Sequence, residues 1–122
     1  MEKEILVVDD QPGIRLLLGE VFANEGYHVV TAETGKEALD KLHQKTFDLI
    51  VLDYKLPIID GAEVLRRLKQ DEIMTPAIIM SGLAEELANV PRDCPNVKKI
   101  VAKPFNINDI CAITRELLNC NN

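Results

Sequence analysis

Tryptophan is absent from the 122 residues, and two tyrosines and three phenylalanines are the only aromatics. Because 47% of the residues are nonetheless hydrophobic, the core is expected to be aliphatic. Cysteine is scarce: Cys94, Cys111 and Cys120 are odd in number, lack metal-type spacing and lie far in sequence from His28 and His43. That argues against a disulfide scaffold or a zinc module and for reduced thiols. Basic residues are outnumbered, 14 Lys and Arg against 20 Asp and Glu, for a net charge of -6. A nucleic-acid surface needs clustered Lys and Arg, and an anionic membrane would repel this chain, so neither partner is expected. No run approaches the ~20 apolar residues of a membrane span. Met1-Glu2-Lys3-Glu4 leads straight into an apolar run without the pattern of a signal peptide, so a cytoplasmic location is expected. Repeats, low-complexity tracts and linkers are absent too, and the length fits one domain over residues 1–122.

What is present is an alternation of apolar runs and helical patterns. Ile5-Leu6-Val7-Val8, His28-Val29-Val30-Thr31-Ala32, Leu49-Ile50-Val51-Leu52, Ala77-Ile78-Ile79-Met80 and Lys99-Ile100-Val101-Ala102 read as five strands, rich in β-branched and aliphatic residues. Between them, helical spacing links Ile14, Leu17, Leu18, Val21 and Phe22, with Gly26 ending that helix. It also links Ala38, Leu39 and Leu42, and then Val64, Leu65 and Leu68, before a closing helix over 107–118. Five buried strands separated by helices predict a parallel sheet covered on both faces. Right-handed crossovers in so short a chain favour the flavodoxin-like, doubly wound α/β order 2-1-3-4-5.

In such a sheet the chemistry lies at the carboxyl ends of the strands. Those positions carry Asp9-Asp10, Asp53, Ser81 and Lys103-Pro104. Each alone has an ordinary reading: paired Asp residues as turn or cap groups, Asp53 as a loop acid, Ser81 before Gly82 as a turn residue, Lys103 as a solvated charge. Together at one sheet edge they form a functional constellation. Crowded carboxylates call for a hard cation with oxygen ligands and waters, which suits Mg²⁺. A carboxylate there can attack phosphorus. A cation and an ammonium can stabilise the charge on a phosphoryl group, and a hydroxyl can hydrogen-bond it.

With those residues in view, the chain resembles response-regulator receiver domains. Leu6-Val7-Val8-Asp9-Asp10, Asp48-Leu49-Ile50-Val51-Leu52-Asp53, the Leu56-Pro57 to Asp60-Gly61 turn, Ile79-Met80-Ser81 and Ala102-Lys103-Pro104-Phe105 carry the likeness over nearly the whole chain. The resemblance implies that Asp53 is the phosphoacceptor and that the domain catalyses its own aspartyl phosphorylation and dephosphorylation. It implies that Asp10, Asp53 and the backbone carbonyl of Lys55 ligate Mg²⁺, with Asp9 acting largely through water. It makes Ser81 the switch hydroxyl and Lys103 the phosphoryl contact, and it implies a cis Lys103-Pro104 bond.

Asp9-Asp10-Gln11, Gly13-Ile14-Arg15, Glu20-Val21-Phe22, Glu25-Gly26-Tyr27 and Lys103-Pro104-Phe105 are similar to stand-alone receivers of the sporulation phosphorelay type. Such proteins pass phosphoryl groups between a sensor histidine kinase and a histidine phosphotransferase. The matching partner surface is Gln11, Gly13, Ile14, Leu17, Pro104 and Phe105, although Ile14 and Leu17 also read as core. Leu16 falls off the inward stripe and adds exposed apolar surface.

The chain departs from the receiver pattern at three places. Ile100 stands where output-driving receivers usually have an aromatic, and Gly82 follows the switch hydroxyl in place of Ala. Pro91 and Pro95 fall in the segment 84–97, where a helix belongs. Proline costs a helix interior ~3 kcal/mol, so a shortened helix followed by irregular, fast-exchanging chain is expected there, and with it a monomer. Three other readings compete. A haloacid-dehalogenase-type phosphatase wants a second Asp where Lys55 stands. A flavodoxin-type carrier needs a phosphate cradle where Asp9-Asp10 would repel phosphate. An input domain severed from a transcription factor keeps the receiver but needs a DNA-binding segment, and after Leu118 only four residues follow.

Overall fold

The computed structural model describes residues 2–82 and 94–119. The order of elements is β1 (Glu4–Val8), α1 (Pro12–Asn24), β2 (His28–Ala32), α2 (Gly35–Gln44), β3 (Leu49–Asp53), α3 (Gly61–Gln70), β4 (Ala77–Ser81), β5 (Val97–Ala102) and α4 (Ile107–Asn119). The strands form one parallel sheet in the order β2-β1-β3-β4-β5, as the sequence predicts.

Alternation along the strands divides the core into two layers. Leu6, Val8, Ile50, Leu52, Ala77 and Ile79 face α2 and α3, meeting Ala38, Leu39, Leu42, Val64, Leu65 and Leu68. Ile5, Val7, Leu49, Val51, Ile78 and Met80 face the other way, against Leu18, Phe22 and Ile110. Successive strand residues point to opposite faces, so the inner strands, covered on both sides, have no polar face to show. Each large aliphatic gains about 1.5–3 kcal/mol from full burial.

Local chemistry sets the helix starts. Thr34 accepts the N–H of Glu37 at 3.1 Å, and Asp60 accepts the N–H of Glu63 at 3.0 Å; both satisfy donors that a helix leaves unpaired. Asn106 does the same for Asn108 and Asp109 ahead of α4, while Pro12 opens α1. Gly26, with φ +94°, turns the chain out of α1.

Three expectations need correcting. The strands are not all buried: β5 is largely exposed and β2 mostly half-buried, because each pairs on one side only. The inward stripe of α1 is narrower than its sequence suggests, since Leu17 is 36% exposed beside Leu16 at 65%. The segment expected to be irregular over 84–97 is so in its described part, 94–96, but it is anchored there and passes into β5 at Val97. Cys94 and Asn96 are buried and Val97 already belongs to β5. The Asn96 amide donates to the carbonyls of Ile73 (2.8 Å) and Thr75 (2.7 Å), tying the end of this segment to the connection between α3 and β4. The expected shortened helix falls within residues 83–93, which lie outside the described residues. Both described cysteines, Cys94 and Cys111, are buried free thiols. No helix among the described residues is long and apolar enough to cross a membrane.

Candidate functional site

Four strand ends converge as the sheet order demands. Asp9 follows β1 and is fully buried, Asp53 ends β3 at 5% exposure, Ser81 ends β4 at 1%, and Lys103 follows β5. Asp10, next to the buried Asp9, is exposed. Carboxylate oxygens of Asp9, Asp10 and Asp53 lie within 4.8 Å of one another. Lys103 reaches into this group: its Nζ is 2.8 Å from Asp9 Oδ2, 3.2 Å from Asp53 Oδ2 and 3.4 Å from Gln11 Oε1.

The backbone holds these side chains in place. The N–H of Gln11 donates to Asp9 Oδ1 at 2.9 Å, and the N–H of Lys55 donates to Asp53 Oδ1 at 3.3 Å. The N–H of Lys103 donates to the Ser81 carbonyl at 2.7 Å, so the lysine is carried by the end of β4. The Lys103-Pro104 peptide is cis, as the family resemblance implies. After β3 the chain folds back, with the Gly61 N–H on the Tyr54 carbonyl at 2.8 Å. A Cβ at Gly61 would stand 2.7 Å from Tyr54 Cα, so only glycine allows α3 to start this close to the site.

Electrostatics follow from the crowding. Burial, then the neighbouring Asp9, pushes the Asp53 carboxyl above the usual carboxylate range, with Lys103 pulling the other way. Burial works to lower Lys103, but its contacts with Asp9 and Asp53 outweigh burial and raise it, keeping the ammonium charged. One ammonium against three carboxylates leaves an excess of negative charge, and the open cleft beside it measures about 530 Å³. Oxygen donors from two strand ends, one acid solvent-facing and two buried, fit a hard divalent cation that retains waters. The group would be held by Asp9, Asp10 and Asp53.

Most of the residues singled out from sequence meet here. Asp10, Gln11, Asp53, Lys55 and Lys103 line the cleft, together with Leu56, Pro57 and Gly82. Ser81 is buried one residue short of it. Of the expected partner surface, Gln11, Gly13 and Pro104 are exposed. Ile14 and Phe105 are half-buried and pack against the second core layer, so both readings of Ile14 hold in part. Sequence reasoning gave Arg15 no role. Its Nη1 donates to the Asp9 carbonyl at 2.8 Å while Nη2 stands 3.5 Å from Glu33. A helix arginine of this kind looks like any solvated charge until the loop folds over it.

A family model for the response regulator receiver domain matches residues 5–115. The chain is 40% identical over 111 residues to sporulation initiation phosphotransferase F of Bacillus subtilis, covering 90% of this chain and 89% of that protein. It is 38% identical over 118 residues to the alkaline phosphatase synthesis transcriptional regulatory protein PhoP of the same organism. That match covers 97% of this chain but only 49% of the regulator. Among solved structures, the response regulator TrrA of Thermotoga maritima, in complex with Mg²⁺ and BeF, superposes with a TM-score of 0.85. It is 34% identical, with 95% of this chain and 99% of that one covered. The carboxylate cluster at the sheet edge and these likenesses agree, and the chain belongs to the response regulator receiver domain family of two-component signalling.

Proposed function

We propose that this receiver takes a phosphoryl group from the phosphohistidine of a sensor histidine kinase onto Asp53 and hands it to a histidine phosphotransferase. The observation that carries the reading is the Asp53 carboxylate, set in the cleft 3.2 Å from the Lys103 ammonium. Asp53 attacks the phosphorus, an O–P bond forms, and the P–N bond to the imidazole breaks with its electron pair returning to nitrogen. Lys103 meets the charge on the transferring oxygens, and Ser81 donates its hydroxyl to one of them. A Mg²⁺ held by Asp9, Asp10, Asp53 and the Lys55 carbonyl would neutralise charge on the phosphoryl oxygens when bound. Gln11, Gly13, Ile14, Leu17, Pro104 and Phe105 form the surrounding docking surface.

The relay role, exercised by a monomer, is supported by the likeness to the sporulation phosphotransferase over nearly both full lengths. Ile100, aliphatic and 44% exposed, supports it too, because it supplies no aromatic rotamer switch. The reading as input domain of a larger regulator is favoured by a separate finding: the chain spans about half the length of the transcriptional regulators it matches.

The test uses labelled acetyl phosphate and a set of purified, autophosphorylated kinase cores. Wild type should be labelled by both routes in Mg²⁺ and should then lose label to a histidine phosphotransferase. Asp53→Asn should take no label from either. Normal labelling of that variant would overturn the assignment, and label that never moves on would favour the input-domain reading.

A further inference from the structure

The turn between β3 and α3 contains a conformation its sequence should avoid. Ile58 has φ +68°, in the left-handed region that a β-branched residue rarely enters. The Ile59 N–H donates to the Pro57 carbonyl at 2.8 Å across it, so Ile58 is the centre of a γ-turn of the strained hand. The neighbours leave the turn little choice. Pro57 has a ring-locked φ. The Ile59 carbonyl is pressed against Gly35, where a Cβ would stand 2.3 Å away, and Gly61 packs on the Tyr54 backbone. Glycine or asparagine would take this conformation at less cost. Isoleucine gains almost nothing from the fold in return, since it is 97% exposed, the most exposed large hydrophobic among the described residues.

Its place is informative. Leu56 and Pro57, immediately before it in the chain, line the cleft that holds Asp53, so Ile58 stands one residue beyond an apolar part of that lining. Backbone strain of this kind persists at functional sites, and an apolar side chain this exposed stabilises chiefly what it meets outside. We infer that Ile58 is a partner-recognition residue, which packs against apolar side chains flanking the phosphohistidine of the donor kinase. The inference rests on the relay reading above and extends it to a residue outside the first-helix surface.

The experiment compares wild type with Ile58→Gly, Ile58→Asn and Ile58→Met. The donor is the autophosphorylated kinase core, from a purified set, that labels wild type fastest, and acetyl phosphate is the reference donor. Ile58→Gly and Ile58→Asn should melt about 3–6 °C higher through relief of the turn. The ratio of kinase-driven to acetyl-phosphate-driven labelling should nevertheless fall about fivefold or more, mainly through a higher half-saturating concentration of the kinase. Ile58→Met, apolar but unbranched, should keep most of that ratio. A rise in melting temperature with an unchanged ratio would overturn the inference. So would a fall in melting temperature, which would make Ile58 a structural residue. If no kinase core labels wild type although acetyl phosphate does, the relay reading fails and the inference falls with it.

Discussion

The Lys103 ammonium stands 3.2 Å from the Asp53 carboxylate while the same nitrogen is 2.8 Å from Asp9. One cation is thus shared between two acids, and Lys103 is only 18% exposed in its side chain. Shared in this way, Lys103 relieves but does not remove the repulsion that, with burial, raises Asp53. A carboxyl whose pKa is higher in the folded state than in the unfolded chain contributes stability below its ordinary value of 3.8. That contribution is lost as the pH rises through the folded-state value. Above that value the buried Asp53 charge therefore weakens the fold relative to a neutral side chain.

Neutralising Asp53 should accordingly stabilise the metal-free protein even as it abolishes phosphorylation. Thermal melts at pH 7 in chelator should place Asp53→Asn about 2–5 °C above wild type. Millimolar Mg²⁺ should raise wild type, by mass action on the native state, more than it raises the variant. A variant that melts lower in chelator, or responds to Mg²⁺ as strongly as wild type, would contradict this electrostatic account.

A second prediction concerns pH. His43 on α2 places Nε2 2.9 Å from the Asp71 carboxylate at the end of α3 and Nδ1 2.7 Å from the Leu39 carbonyl. Both partners are acceptors, so both contacts are hydrogen bonds only when the ring carries two protons. The Asp71 contact, then the Leu39 carbonyl, raise its pKa above 6.5. The sign is that of a raised base: the contribution is complete below 6.5 and is lost as the pH rises through the folded-state value. Wild type should lose melting temperature from about pH 6.5 upward, and His43→Gln should show a flatter profile over that range. Parallel profiles would show that this contact does not titrate with folding.

A third prediction addresses Asn96, which is 1% exposed. Its amide is the donor for the carbonyls of Ile73 and Thr75. Asn96→Ala would leave two carbonyls in a buried setting without that donor, at a cost of about 2–4 kcal/mol. Denaturant unfolding should show a lower midpoint with an unchanged slope. A change under about 1 kcal/mol would mean that water replaces the amide.

The elements were legible because their signals are local. Apolar runs such as Leu49 to Leu52, buried on both faces, and the helical spacing of Val64, Leu65 and Leu68 report themselves without reference to distant residues. Asn96 was not legible: its neighbours in sequence look like loop, and its value lies in carbonyls more than twenty residues away. Arg15 escaped for the same reason, and β5 read as buried because its apolar run Ile100-Val101-Ala102 looks like that of an inner strand, whereas its exposure follows from pairing on one side only.

By itself the amino-acid sequence determined the five-strand order, the acids at the strand ends and the family, because period, composition and motif spacing are properties of the chain alone. Only the tertiary structure decided that Lys103 is shared between Asp9 and Asp53, that Arg15 holds the Asp9 carbonyl, and that Ile58 sits outward on a strained turn. Each of these depends on distances between segments separated by other elements, or on a backbone angle forced by neighbours. Such relations come into being only when the sheet brings its carboxyl edge together.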